Sequence, residues 1–165
     1  MQCGNEDAID HGGYELVIVE PASEDWQAFH DIQRVTLFEQ DPSEYDAHYH
    51  DHLFHRPASR TQLLLKFNGQ AIGVTTLDVF PDRTAATRSV AITHEKQHMG
   101  HGAALGKLTQ EFARGLGCSA LCVNAGAHVT DFYRSLGFTP EIWDIKEYDG
   151  IGSPETMIQM VYRLS

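Results

Sequence analysis

The chain has 165 residues, of which 42% are hydrophobic and 21% charged, and its formal net charge is −11 at pH 7. This size and composition are typical of one globular domain with a full hydrophobic core. The acidic balance argues against nucleic acids and anionic membranes as partners, because both attract basic surfaces. It is compatible with a cationic partner such as an amine.

The sequence predicts a cytoplasmic protein. No basic region precedes an apolar run at the N-terminus, and no apolar run reaches the length of a membrane span. Cys3, Cys118 and Cys122 are too few for a disulfide framework and suit a reducing compartment. We expect residues 1–13 to form a flexible tail and residues 14–165 a single domain.

The first half of the domain is predicted to begin with a strand and two helices. Tyr14 to Glu20 alternates and is rich in Val and Ile, as in a strand, and Pro21 ends it. Ser23 is a good N-cap for a helix that continues to about residue 38. A second helix is expected from about Glu44 to Phe54.

An antiparallel meander of three strands should follow, over 62–67, 70–79 and 84–93. Asn68-Gly69 predicts the hairpin turn between the first two strands, and Pro81-Asp82-Arg83 predicts the next turn.

The second half of the domain is predicted to alternate between helices and strands. The expected order is a helix over 103–116 closed by Gly117, a strand over 119–123, a loop at 124–126, a helix over 127–136, and strands over 138–148 and 156–164. The strand–helix–strand unit in the middle should be parallel with a right-handed crossover. The fold class is therefore mixed α/β, with about six to seven mainly antiparallel strands and about four helices.

The most informative stretch lies between the meander and the helix at 103–116. Gly100 and Gly102 let the backbone approach a ligand closely because they have no Cβ. Backbone N–H groups in such a loop and in the first helical turn lack intrahelical partners, and the helix dipole favours an anion there. Ala103 stands where a P-loop needs Lys, and Leu105 stands where a dinucleotide fingerprint needs its third Gly. The alternative is an ordinary tight turn.

Two segments carry a family resemblance. Gln97-x-x-Gly100-x-Gly102-Ala103 resembles the acyl-CoA loop of the GNAT superfamily of N-acyltransferases, Gln/Arg-x-x-Gly-x-Gly/Ala after a strand. Phe132-Tyr133-x-x-Leu136-Gly137-Phe138 is similar to the second cofactor segment of that superfamily, at the correct distance. With the element order, the resemblance covers roughly residues 62–143. His98 and Val129 depart from the usual family residues without affecting backbone contacts to the cofactor.

The resemblance implies a GNAT-like fold and an enzyme that uses acetyl-CoA as co-substrate. Loop amides would bind the diphosphate, and the strand backbone would hold the pantetheine arm, with the N–H of Ile92 polarising the thioester carbonyl. Tyr133 is implied as the general acid for the departing thiolate; the alternative is an aromatic side chain that only packs on the sheet. Asn124 would bond either the cofactor arm or its own backbone. The implied cofactor-binding residues are Val90, Ala91, Ile92, Gln97, His98, Met99, Gly100, His101, Gly102, Ala103, Asn124 and Tyr133.

The sequence indicates less clearly which residues bind the amine that accepts the acyl group. A fainter family match over 34–46 places Arg34 and Glu39 in the helix that walls this side, and Asp78 lies late in a hairpin strand. We predict that Arg34, Glu39 and Asp78 contact the substrate and that Glu39 is the general base. The alternatives for deprotonating the amine are Asp78, His94, Glu95 or a chain of water molecules.

His48, His52 and His55 would share one helix face, where a zinc site is conceivable. Because the resemblance brings no metal ligands, no metal is expected, and we predict instead that this face lines the acceptor mouth and makes binding sensitive to pH.

The leading hypothesis is an N-acetyltransferase that acts on a primary amine of a small molecule. Its alternatives are a longer acyl group, a protein or peptide amine as acceptor, a non-catalytic acyl-CoA sensor, and a structural domain without a CoA site. A homodimer through the last two strands is common in similar proteins.

Overall fold

The computed structural model of the protein describes residues 12–37, 56–150 and 156–164. The strands are β1 Tyr14–Ile18, β2 Ser59–Phe67, β3 Gln70–Val79, β4 Thr84–Ile92, β5 Ala120–Gly126, β6 Thr139–Pro140 and β7 Met157–Arg163. The α-helices are α1 Glu24–Leu37, α2 His101–Gly115, α3 Thr130–Ser135 and α4 Ile145–Gly150. Single turns of 3₁₀ helix span His94–Lys96 and Ala127–Val129.

The described strands form one mixed sheet in the order β1-β2-β3-β4-β5-β7-β6. All neighbours are antiparallel except β4 and β5, which are parallel. Within the described ranges, the mixed α/β class and the mainly antiparallel sheet of seven strands are those expected from the sequence, and the parallel unit around the glycine loop is confirmed.

Local chemistry explains the first half of the domain. The N–H of Trp26 donates to Ser23 Oγ at 3.1 Å, so Ser23 caps α1 as predicted. Asn68 and Gly69 have φ angles of 51° and 85°, the pair of positive values that a tight hairpin turn requires. The helix predicted over 44–54 lies outside the described residues.

Two predictions for the second half are wrong. The loop expected at 124–126 is the end of β5, because Asn124 to Gly126 pair with β7 from Gln159 to Met157. The strand expected over 138–148 is reduced to Thr139–Pro140, followed by α4. The N–H groups of Trp143 and Asp144 donate to the side chain of Gln159 instead of a strand ladder.

The helix α4 has a local cause. Asp144 Oδ1 accepts the N–H of Glu147 at 3.0 Å, which is the capping contact that starts a helix. Aspartate is a strong cap and a poor strand residue, so it outweighs the strand propensity of its neighbours.

The parallel strands β4 and β5 separate along their length. Their register covers only Thr84–Ala86 with Ala120–Cys122, although β4 continues to Ile92 and β5 to Gly126. The β3–β4 register shifts beyond Val74, and Ser89 has a φ of 54°, which together mark a β-bulge. The bulge bends β4 away from β5, so the sheet opens at the carboxyl ends of its two parallel strands.

Candidate active site

A pocket lies where β4 and β5 separate. Its walls come from four parts of the fold: β4, β5, the first turns of α2, and α3 with the segment that follows it. The lining residues are Thr87, Val90, Gly102, Leu105, Gly106, Thr109, Leu121, Phe132, Tyr133, Leu136 and Phe138. The two sequence segments that carry the family resemblance therefore meet at one site.

Tyr133 supplies the polar group that this pocket leaves open for a ligand. The hydroxyl of Thr109 donates to the carbonyl of Leu105 at 2.7 Å, and the hydroxyl of Thr87 lies 2.6 Å from that of Thr75. Within the described ranges, the hydroxyl of Tyr133 has no hydrogen-bond partner.

The chemical state of Tyr133 follows from its surroundings. Its ring meets Phe132 and Phe138 edge to face, with centroid distances of 5.1 and 5.4 Å. Burial raises the pKa of Tyr133 to about 12, because the phenolate would lose its hydration. The phenol therefore stays protonated and can donate a proton throughout the neutral range.

The glycine loop presents free backbone donors at the start of α2. The first intrahelical contact is the N–H of Ala104 to the carbonyl of Gly100, at 3.2 Å. None of the described residues accepts a hydrogen bond from the six preceding amides, 98–103. His98 and Gly100 have φ angles of 65° and 89°, left-handed values of the kind found in backbone nests that bind anions. Such an array at a helix N-terminus suits a phosphate or another anion.

Side chains of the loop hold its shape. Gln97 Nε2 donates to the carbonyl of Ile92 at 2.9 Å and so ties the loop to the end of β4. The buried ring of His101 lies beside Tyr14 and Phe67, with the Tyr14 hydroxyl 2.6 Å from Nδ1. His101 therefore faces the sheet, and its contribution to an anion site would come from its backbone N–H.

The strand residues predicted to hold the cofactor occupy different environments. Val90 lines the pocket, whereas Ala91 is buried on the opposite face of the sheet, in the cluster that packs against α1. Ile92 pairs with Gly73. The bulge leaves Val90 without a register partner in β3, which directs its backbone toward the opening between the strands.

Two of the residues predicted on the acceptor side, Asp78 and Arg34, form ion pairs within the protein. Asp78 is buried and accepts hydrogen bonds from Arg60 Nε and Arg88 Nε, each at 2.7 Å. Burial alone would raise the pKa of Asp78, but the hydrogen bonds and charges of both arginines outweigh it and lower the pKa. A carboxylate held in this way is a poor base. Arg34 pairs with Asp31 on α1, and Glu39 lies outside the described residues.

The side chain of Asn124 bonds two other side chains and not its own backbone. Its side-chain amide donates to Glu147, and its carbonyl oxygen accepts from Gln159 Nε2 at 3.0 Å. The predicted contact to a cofactor arm stays a prediction.

Sequence reasoning missed Arg60, Arg88 and Glu147. Arg88 carried a usable signal, because a charged residue interrupts the otherwise small and apolar run of β4. Glu147 carried none, since its position was assigned to a strand.

In the described ranges, no three His, Cys, Asp or Glu side chains come close enough to hold a metal ion. The histidines at 48, 52 and 55 lie outside those ranges. Among the helices described, none is long and apolar enough to cross a membrane.

A family model described as "Acetyltransferase (GNAT) family" matches residues 26–138. The chain belongs to this family. It is an acyltransferase of the GNAT type. Gly102 of the loop and Tyr133, which the family resemblance implies as cofactor-binding residues, both line the pocket.

Solved structures support the same fold at low sequence identity. The ribosomal-protein-S18-alanine N-acetyltransferase from Escherichia coli is 17% identical, with a TM-score of 0.67 over 92% of this chain and 94% of its own. An IAA acetyltransferase from Bacillus cereus is 21% identical, with a TM-score of 0.62 over 91% and 99%. A Bacillus subtilis acetyltransferase in complex with CoA is 18% identical, with a TM-score of 0.64 over 92% and 99%. A comparison of the sequence with curated proteins finds no match.

Proposed function

We propose that this GNAT acyltransferase transfers the acetyl group of acetyl-CoA to a primary amine of a small molecule, with Tyr133 as general acid. The observation that carries the proposal is the hydroxyl of Tyr133, which lines the pocket beside the open loop amides and has no partner among the described residues. An acetyl thioester supplies the activated carbonyl that an amine attacks.

The loop fits a diphosphate. Six amides at the start of a helix offer N–H groups to anionic oxygens, and the helix dipole adds favourable potential. A Cβ at Gly102 would lie 3.5 Å from Phe132, so the absence of that atom leaves space between the loop and α3. One of the solved structures with this fold is a complex with CoA.

Tyr133 would act when the thiolate departs. The amine nitrogen forms a bond to the acetyl carbon, the carbon–sulfur bond breaks, and the Tyr133 O–H donates its proton to sulfur. The proton that the acylated nitrogen releases as it becomes an amide then returns to the Tyr133 oxygen. The pKa of about 12 keeps this proton in place until it is needed. The apolar surroundings that disfavour the phenolate also disfavour a thiolate. They would therefore raise the pKa of the CoA thiol as well, which reduces the difference between its pKa and that of Tyr133.

The attacking amine must be neutral, because an ammonium ion has no lone pair. We propose Glu39 as the base that removes its proton. Asp78 is unsuited to that step, because two arginines hold its carboxylate in the charged form.

Ligand binding and turnover test the proposal in sequence. Acetyl-CoA, CoA and adenosine diphosphate should each raise the melting temperature, since a ligand that binds only the folded state stabilises it. Release of CoA should then be followed with a thiol reagent across a panel of small amines and a panel of peptides. No thermal shift at millimolar ligand would overturn the acyl-CoA site. Turnover with peptides only would reassign the acceptor, and binding without turnover would favour a sensor.

A further inference from the structure

The carboxylate of Glu147 on α4 joins the two strands that separate. Arg88 of β4 donates to it with both terminal nitrogens, Nη1 to Oε2 at 2.6 Å and Nη2 to Oε1 at 3.1 Å. The side-chain amide of Asn124 on β5 also donates to Oε2. Glu147 is 4% exposed, so these contacts are shielded from water.

The bridge lies where backbone pairing between β4 and β5 stops. Ala86 and Cys122 are the last register partners, and both belong to one apolar cluster. Side chains of a strand alternate between faces, so Arg88 and Asn124, two residues further on, are the next pair on that face. Glu147 therefore connects the strands by side chains at the first position where the backbone no longer does.

Arg88 is also held from the other side. Its Nε donates to Asp78 Oδ2 on β3 at 2.7 Å, and Asp78 accepts two further hydrogen bonds from Arg60 on β2. Two buried carboxylates thus balance two arginines. A buried charge network of this kind is stable when complete, and it becomes costly when one member is removed.

The opposite faces of the same strand segments line the pocket. Thr87 and Val90 flank Arg88 and the bulge at Ser89, and both point to the cavity that contains Tyr133. A change in the spacing of Arg88 and Asn124 would therefore change the width of the cavity at the place where the acyl group would lie.

We propose that Glu147 is a positioning residue that sets the gap between β4 and β5, and thereby the length of acyl group that the pocket accepts. The inference deepens the proposed function and rests on it for the acyl group. A plain structural role for Glu147, as an anchor of α4, would lower the activity with every acyl donor in the same proportion.

The test compares acyl donors in Glu147→Gln, which keeps the shape of the side chain and removes its charge. The ratio of kcat/KM for butyryl-CoA to that for acetyl-CoA, with one amine, should rise at least about 10-fold, since butyryl adds two methylenes and each methylene in a pocket is worth about that much or more. The matched control is Glu141→Gln, which breaks the exposed pair with Arg163 at 2.5 Å and should leave the ratio unchanged. An unchanged ratio in Glu147→Gln would overturn the proposal.

Amide hydrogen exchange of the ligand-free protein separates this proposal from the proposed function. Glu147→Gln should speed exchange of the bulge amides at 89 and 90 by about 10-fold, and Glu141→Gln should not. Failure of wild type to bind acetyl-CoA would refute the proposed function and leave this readout intact. If Glu147→Gln does not fold, Asn124→Ala removes the β5 arm of the bridge together with the contact to Gln159, and leaves the pairing of Glu147 with Arg88 in place. The acyl-donor ratio and the exchange rate should then shift in the same direction. Equal loss with both donors there would refute the bridge.

Discussion

The hydroxyl of Tyr14 on β1 lies 2.6 Å from Nδ1 of His101, the first residue of α2, so the edge strand is hydrogen bonded to the start of the loop helix. The ring of Tyr14 also lies 4.7 Å from that of Phe67, measured between centroids. Tyr14→Phe keeps these ring contacts and removes one hydrogen bond. We expect the free energy of unfolding to fall by about 1 kcal/mol, measured by urea denaturation.

A second variant tests whether this loss of stability comes from the hydrogen bond between Tyr14 and His101. In a His101→Leu background, the partner of the Tyr14 hydroxyl is already gone, so adding Tyr14→Phe should cost much less than it does in wild type. Additive losses from the two substitutions would show that the hydrogen bond does not stabilise the fold.

Tyr133→Phe tests the general acid. The variant keeps the edge-to-face contacts of the ring with Phe132 and Phe138 and removes the proton donor. We expect kcat to fall about 100-fold or more, with little change in the KM for acetyl-CoA, because proton donation acts on the departing thiolate. CoA release in a stopped assay measures both constants.

The matched control for that change is Tyr162→Phe. Tyr162 packs against Phe138 from β7, with ring centroids 5.6 Å apart, and does not line the pocket. It should retain wild-type kcat. An equal loss of kcat in both variants would show that the effect comes from packing and that Tyr133 is not the general acid.

The predictable parts of the fold are those that depend on local sequence. The hairpin at Asn68-Gly69, the Ser23 cap and the end of α2 before Gly117, with its φ of 82°, each follow from one or two residues. The segment after Phe138 fails because its apolar residues favour a strand, whereas Gln159 of β7 takes the N–H groups that a strand would use. Gln159 is distant in sequence and carries no local signal, whereas the Asp144 cap that starts α4 is a local signal that the strand prediction passed over.

The residues of the candidate site also fall into those that a local sequence pattern predicts and those that it does not. Tyr133 and the loop 97–103 were predictable because each belongs to a short contiguous pattern, and both lie at the pocket or at its edge. The bridge from Arg88 to Glu147 joins residues 59 positions apart. Only the register of β4, β5 and β7 brings its members together, so no spacing along the chain could have predicted it.

Gly100→Ala tests the loop amides. Gly100 has a φ of 89°, where an L side chain is strained, and a Cβ there would meet no atom within 4 Å. The variant should therefore relax by rotating the loop backbone and misdirecting its N–H groups. We expect a loss of about 1 kcal/mol in stability and at least a 10-fold weaker Kd for CoA, measured by isothermal titration calorimetry.

Gly69→Ala is a control with the same backbone strain. Gly69 has a φ of 85°, also with no atom within 4 Å of a built Cβ, and it lies in the hairpin turn between β2 and β3. It should cost similar stability and leave the Kd for CoA unchanged. If both variants weakened CoA binding equally, the effect would be one of global stability, and the loop amides would have no special role.

Asp78→Asn tests the buried charge network through its dependence on pH. The pKa of Asp78 in the folded protein lies below its ordinary value of 3.8 because the hydrogen bonds and charges of Arg60 and Arg88 outweigh the effect of burial. A lowered carboxyl pKa contributes stability that is complete above the unfolded pKa of about 4 and is lost as the pH falls through the folded pKa. The variant should lose about 3 kcal/mol or more at pH 7, because it removes one of the two carboxylates that pair with the buried Arg88 and the carboxylate that pairs with Arg60.

The difference in stability between Asp78→Asn and wild type should then shrink as the pH falls below about 4, because wild type loses the same contribution there. Urea denaturation at pH 7, 5, 4 and 3 measures this convergence. Asp131→Asn provides the comparison, since that side chain is 99% exposed and its pair with Arg134, at 3.3 Å, is open to water. Its stability should follow wild type at every pH. A constant gap between Asp78→Asn and wild type down to pH 3 would mean that the carboxylate of Asp78 contributes by packing and hydrogen bonding in either protonation state.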